Sequence, residues 1–172
     1  MPEPLRFKCK CCGLCCRRDP YYGVSLLDVE KISEGLSLSP SEFFNRFCGV
    51  VLTPGGYRYS VILASEGCPF LRDSLCSIHA FKPIGCRVFP ESSMLPVSEL
   101  KRLVRAIESC AILELPDSEL PLATDYGLMA ERDLHFKHTK AYFEAHEDFD
   151  EPSWNVAVNE LKKALALKAQ GR

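Results

Sequence analysis

The run Cys9-Lys10-Cys11-Cys12-Gly13-Leu14-Cys15-Cys16 constrains this chain more than any other feature, with five cysteines in eight residues. Apolar packing cannot organise residues 1–20, where cysteine, lysine, arginine, glycine and proline dominate; something must hold the sulfurs together. Disulfides and metal ions are the two options, and the redox compartment separates them. The segment Met1-Pro2-Glu3-Pro4-Leu5-Arg6-Phe7-Lys8 has no apolar signal-like region, and no run of roughly 18 apolar residues occurs anywhere. We therefore expect a cytoplasmic chain without a membrane span, whose ten cysteines are reduced and serve metal ligation. A chain of 172 residues can bury a core without covalent staples. Its 21 basic and 23 acidic residues leave a net charge of −2, so neither nucleic acid nor an anionic membrane is an expected partner.

Within the first cluster, Cys9, Cys12 and Cys15 are spaced C-x2-C-x2-C. A tight loop of that spacing can aim three sulfurs at one centre with its amides turned toward them, and Gly13 tolerates the positive φ such a loop needs. A bacterial ferredoxin run continues with three residues and then Cys-Pro. Here the corresponding dipeptide is Asp19-Pro20, so a fourth thiolate must come from Cys16, Cys11 or a distant cysteine. Side chains of adjacent Cys15 and Cys16 diverge in extended backbone, so each can serve a different centre.

The second cluster is Cys68-Pro69-Phe70-Leu71, then Cys76-Ser77-Ile78-His79, then Lys82-Pro83-Ile84-Gly85-Cys86-Arg87-Val88-Phe89-Pro90. Spacings of eight and ten residues are too wide for one knuckle. They suit ligands that successive turns bring to a site shared with the first cluster. Cys110 is either an eighth ligand or part of an apolar helix face, and Cys48 reads as a buried small hydrophobe. Lys8, Lys10, Arg17, Arg18, Arg72, Lys82 and Arg87 crowd the same segments, where cations stabilise thiolates; of these, Arg87 beside Cys86 is expected to support the site.

Element signals surround the clusters. Ser25 and Asp28 make a capping-box start for a helix over 26–34 that Gly35 ends. Ser39, Pro40 and Glu42 start another, leading into Phe43, Phe44 and Phe47. Val50-Val51-Leu52, Pro54-Gly55-Gly56 and Tyr57 to Leu63 read as a hairpin. Residues 64–96 read as irregular, because Pro69, Pro83, Pro90 and Pro96 limit any helix to short pieces. Helical spacing resumes from Ser98 through Leu100, Leu103, Val104, Ile107 and Ala111. Beyond a loop at 116–121, helices are expected over about 125–146 and 154–169, the latter capped by Ser153 and stopping near Gly171. Its stripe Trp154, Ala157, Val158, Leu161 and Leu165 is expected to pack on its own domain. His135 and His138 sit among Glu131, Arg132, Asp133, Lys137 and Lys140 and read as a solvated face.

The pattern F-x-C-x2-C-G-x-C-C, then C-P-F-L, then C-x-I-x4-P-x2-C-R-x-F-P closely resembles the YkgJ-type cysteine cluster proteins, described as zinc- or iron-chelating and related in pattern to flagellin lysine N-methylase. The likeness runs from Phe7 to Pro90. It implies metal ligation by Cys9, Cys12, Cys15, Cys16, Cys68, Cys76 and Cys86, with Cys110 as a candidate eighth ligand. The chain departs from the pattern at His79, where a tyrosine is expected and where packing is a more natural role than ligation, and in the extra Cys11. The second half of the chain matches no named pattern.

Eight thiolates would satisfy two four-coordinate zinc sites, or one [4Fe–4S] cluster with four sulfurs to spare. The resemblance to the methylase favours the [4Fe–4S] cluster over Zn2+ and implies S-adenosylmethionine as a further cofactor. The residues show no C-x3-C-x2-C triplet, since Arg18 follows Cys11 and Cys15 and Asp19 follows Cys12 and Cys16; no glycine-rich phosphate loop is present, and no βαβ context for a redox Cys-x2-Cys. The expected fold is α+β, mainly helical with a small β-hairpin and a cysteine-rich, loop-dominated metal site. It forms a single cysteine-cluster domain over 1–172, in which 1–96 binds metal and a helical 97–172 packs on it. The expected function is a cytoplasmic metal-binding protein holding an iron–sulfur cluster or zinc for redox or methyl-transfer chemistry. Two alternatives stand open: an S-adenosylmethionine-dependent protein lysine N-methyltransferase acting on a protein substrate, and a zinc-stabilised, non-catalytic module that binds a protein partner.

Overall fold

A computed structural model describes residues 21–63, 67–73, 75–88, 98, 101–102 and 126–171. Cys9, Cys11, Cys12, Cys15, Cys16 and Cys110 lie outside the described residues, as do the loop at 116–121 and most of the helix expected from Ser98, of which Ser98, Lys101 and Arg102 are helical.

Strand β1 (Tyr21–Gly23) leads into helix α1 (Leu26–Gly35). The expected capping box is complete: Ser25 Oγ accepts the Asp28 N–H at 3.1 Å, and Asp28 Oδ2 accepts the Ser25 N–H at 2.9 Å. Leu26, Leu27, Val29 and Ile32 are buried beneath it. The helix ends at Gly35, as expected, although Gly35 is not the left-handed residue that closes it. The left-handed residue is Ser37 at φ 57°; the Leu38 N–H bonds to Ser33 O at 2.9 Å and the Ser37 N–H to Glu34 O at 3.0 Å. That pairing is a Schellman ending with serine in the glycine position. Gly35 instead lets Phe81 approach, since a Cβ there would stand 2.4 Å from the Phe81 ring.

Helix α2 (Pro40–Phe47) also starts where expected, with Ser39 and Glu42 capping each other and Phe43 and Phe44 buried. Strand β2 (Cys48–Leu52) pairs antiparallel with β3 (Arg58–Leu63) across the Pro54-Gly55-Gly56 turn, where Gly56 takes φ +79°. Strand β1 adds to the other edge of β3, giving the order β1-β3-β2. Among the described residues of 64–96 the backbone is more regular than the prolines suggest. Strands β4 (Leu71–Arg72) and β5 (Leu75–Cys76) form a hairpin, a 3₁₀ turn spans His79–Phe81, and a single helical turn, α3 (Ile84–Arg87), follows Pro83.

Two long helices complete the described fold, α4 (Tyr126–Ala145) and α5 (Glu151–Gln170). The cap of α5 is Asp150, three residues before the expected Ser153. Asp150 Oδ2 accepts the Ser153 N–H at 3.1 Å, and Pro152 is tolerated in a first turn that needs no N–H from it. The fold is thus α+β, with helices around small antiparallel sheets. No helix among the described residues is long and apolar enough to cross a membrane.

Residues from both halves of the sequence share one core. Trp154, Val158, Leu161, Tyr142 and Phe143 from α4 and α5 belong to the same buried cluster as Val24, Ile32, Phe43, Ile62, Phe70 and Ile78, with Ala157 and Leu165 packed against it. The apolar stripe of α5 therefore faces its own protein. Polar bonds fix the register: Trp154 Nε1–H donates to Leu26 O at 3.2 Å, and the Leu26 N–H donates to Thr139 Oγ1 at 3.1 Å. The first turn of α1 is thereby held by both long helices.

Candidate metal centre

The β4–β5 hairpin carries two of the expected ligands. Cys68 opens a turn in which its carbonyl accepts the Leu71 N–H at 3.1 Å, and Leu71 pairs directly with Cys76 in the ladder. The Ser77 N–H then bonds to Phe70 O at 2.8 Å, closing the hairpin under Cys76. Asp73 takes φ 47° in the connection. Arg72 wraps the turn, donating from Nη1 to Pro69 O at 2.8 Å and to Leu71 O at 3.1 Å.

The Cys68 thiol is pushed up mainly by burial, with the neighbouring Cys76 sulfur adding to the shift. The backbone N–H groups of Phe70 and Leu71 hydrogen-bond to the same sulfur, and these amides and the Arg72 charge act in the opposite direction. Burial opposes the Cys68 thiolate while the two amides and Arg72 favour it, and a bound cation would add positive charge beside the sulfur. Zinc or iron would supply that charge; the donor set fits either metal.

Cys86 sits on α3, half-buried, with its N–H bonded to Pro83 O at 2.9 Å. Among the described residues, no three His, Cys, Asp or Glu side chains come together as a metal-holding group. The structure thus places Cys68 and Cys76 on one hairpin and sets Cys86 on a separate turn. All five cysteines of the first cluster (Cys9, Cys11, Cys12, Cys15 and Cys16) and Cys110 fall outside the described residues.

Cys48 lies in β2 within the apolar core, where burial pushes its thiol up to about 12. That is the small-hydrophobe role expected of it. His79 is exposed and approaches Lys82 Nζ at 3.4 Å, so it does not fill a packed tyrosine position.

His135 overturns the solvated-face expectation. Its side chain is only 1% exposed, Nδ1 is hydrogen-bonded to Ser25 Oγ at 2.8 Å, and Nε2 has no hydrogen-bond partner among the described residues. Desolvation pushes the imidazole down to about 4, so the ring is neutral and the 3.8 Å approach of Glu131 Oε1 to Nε2 is no ion pair. Glu131 does reach Arg87, at 3.9 Å. The dense charges flanking His135 in sequence concealed its burial; only the helix packing against Ser25 reveals it. Asp28 is the second residue whose setting the sequence hid. Its carboxylate is 3% exposed, raised to about 6 by burial, and accepts the Ile84 N–H from α3 at 3.0 Å in addition to its own cap.

The family model for the cysteine pattern CxxCxxCC, described as "Putative zinc- or iron-chelating domain", matches residues 8–114, more than half of the sequence. The chain belongs to this family. The match extends past Pro90 and takes in Cys110, so all eight candidate ligands fall inside the zinc- or iron-chelating domain. No curated protein and no solved structure matches the chain.

Proposed function

We propose that this chain is a cytoplasmic metal protein whose centre, a zinc site or a [4Fe–4S] cluster, is held by thiolates drawn from Cys9, Cys12, Cys15, Cys16, Cys68, Cys76, Cys86 and Cys110. The observation that carries the reading is the β4–β5 hairpin, where Cys68 opens the turn closed by the Leu71 N–H and Leu71 pairs with Cys76. The family's zinc- or iron-chelating character supports it. The shared core of Trp154, Val158 and Leu161 with Val24 and Phe70 supports one domain over 1–172, in which the helical part braces the metal-binding part.

The test is anaerobic purification of the full chain followed by zinc, iron and acid-labile sulfide analysis and an absorption spectrum. Stoichiometric iron with matching sulfide and broad visible absorption identifies the cluster; stoichiometric zinc without colour identifies the zinc site. Protein free of both metals after anaerobic purification sinks the proposal.

A further inference from the structure

Helix α3 has no side-chain cap of its own: its cap position is Pro83, and no local side chain bonds to its first turn. Its first N–H, that of buried Ile84, would be orphaned without a partner from elsewhere. Asp28 supplies that partner across 56 residues, through Oδ1 at 3.0 Å, while Oδ2 remains on Ser25. At the other end of the same turn, Arg87 reaches Glu131 on α4 at 3.9 Å. Ser25 and His135 close the circuit at 2.8 Å, so α1, α3 and α4 are joined in a ring of contacts, and Cys86 lies on its shortest segment, between Ile84 and Arg87.

We infer that Asp28 is a positioning residue for Cys86: its carboxylate caps α3 from α1 and sets the direction in which Cys86 presents its sulfur. A buried carboxylate is costly to keep, and the cap of α1 alone does not require burial, since Glu42 performs the same capping role for α2 at an exposed position. The second acceptor bond to Ile84 is what distinguishes Asp28. This inference rests on Cys86 being one of the metal ligands proposed above.

The experiment uses the full-length, anaerobically reduced chain with cobalt(II) as probe, reading thiolate-to-cobalt charge transfer and the ligand-field bands. Cys86→Ser reports whether Cys86 ligates at all. Asp28→Ala is expected to weaken cobalt binding by about 10- to 100-fold and to alter the bands in the same sense as Cys86→Ser, with the far-ultraviolet dichroism unchanged. Should Asp28→Ala fail to fold, Ile84→Pro removes the donor together with the buried Ile84 side chain, leaves the α1 cap intact, and is expected to give the same spectral change, whereas Ile84→Ala, which keeps the N–H, is not. A wild-type spectrum and affinity in Asp28→Ala, or in Ile84→Pro, overturns the positioning role while the Cys86→Ser change stands. No change in Cys86→Ser removes Cys86 from the metal site, and the positioning role falls with it.

Discussion

Asp28 Oδ1 accepts the backbone N–H of Ile84 at 3.0 Å, so one buried carboxylate starts two helices. Its neighbour in the same ring, His135, is buried as a neutral imidazole. The two groups carry opposite linkage to pH.

Asp28 has a folded value of about 6 against an ordinary 3.8, and His135 has about 4 against an ordinary 6.5. Above pH 6 the ionised, desolvated Asp28 counts against folding; that cost fades as pH falls toward 3.8, so stability rises. As pH falls from 6.5 toward 4, only the unfolded chain protonates His135, so stability falls. Each shift is on the order of 3 kcal/mol, and in the wild type the two largely cancel between pH 4 and 6. Asp28→Asn is predicted to lose about 3 kcal/mol more than wild type on acidification across this window, and His135→Gln to lose correspondingly less. Urea denaturation at stepped pH checks both; parallel pH profiles for all three proteins contradict the assignment.

Gly35→Ala separates packing from propensity. Helix propensity alone predicts a gain of up to about 1 kcal/mol. The Phe81 ring, 2.4 Å from where the new methyl would stand, predicts instead a loss of about 1–3 kcal/mol. Denaturant midpoints decide the sign, and Phe81→Leu in the Gly35→Ala background should recover part of the loss.

Trp154→Ala is predicted to cost about 3–5 kcal/mol, because it empties a fully buried site and leaves the Leu26 carbonyl without its indole donor. Equilibrium unfolding measures the loss. A cost below about 1 kcal/mol would mean that α5 does not share the core of the first half.

Cys48→Ala is predicted to leave metal content at the wild-type level while lowering stability by about 1 kcal/mol. Cys68→Ser and Cys76→Ser are predicted to lower metal content. Elemental analysis of the three variants checks this, and metal loss in Cys48→Ala would place a ligand in the apolar core.

Local signals were the ones legible in the sequence. Ser25 with Asp28, and Ser39 with Glu42, announced two helix starts to the residue, because a capping box is a contact between neighbours three positions apart. The Pro54-Gly55-Gly56 hairpin was readable for the same reason. Strand β1 was not, since three residues beside a cysteine run carry no period and depend on β3 for pairing. The β4–β5 hairpin hid among prolines because two-residue strands leave no alternation to detect. The cap of α5 slipped by three residues because Asp150 and Ser153 are both good cap formers and only their mutual bond ranks them.

At the candidate site, cysteine spacing announced ligands but not which sulfurs meet. The placing of Cys68 and Cys76 on one hairpin follows from the turn between Cys68 and Leu71 and the pairing of Leu71 with Cys76, whereas the burial of His135 and Asp28 follows from how α4 and α3 dock on α1. Both are properties of long-range packing, which residue types alone do not encode at any one position.

X-ray absorption fine structure at the metal edge of the anaerobically purified, full-length chain addresses the thiolate centre most directly. The prediction is a first shell of about four sulfurs at roughly 2.3 Å, whether the metal is zinc or clustered iron, with a shell that loses sulfur in Cys68→Ser and Cys76→Ser. A first shell of nitrogen and oxygen near 2.0–2.2 Å, or a sulfur shell indifferent to both substitutions, would contradict it.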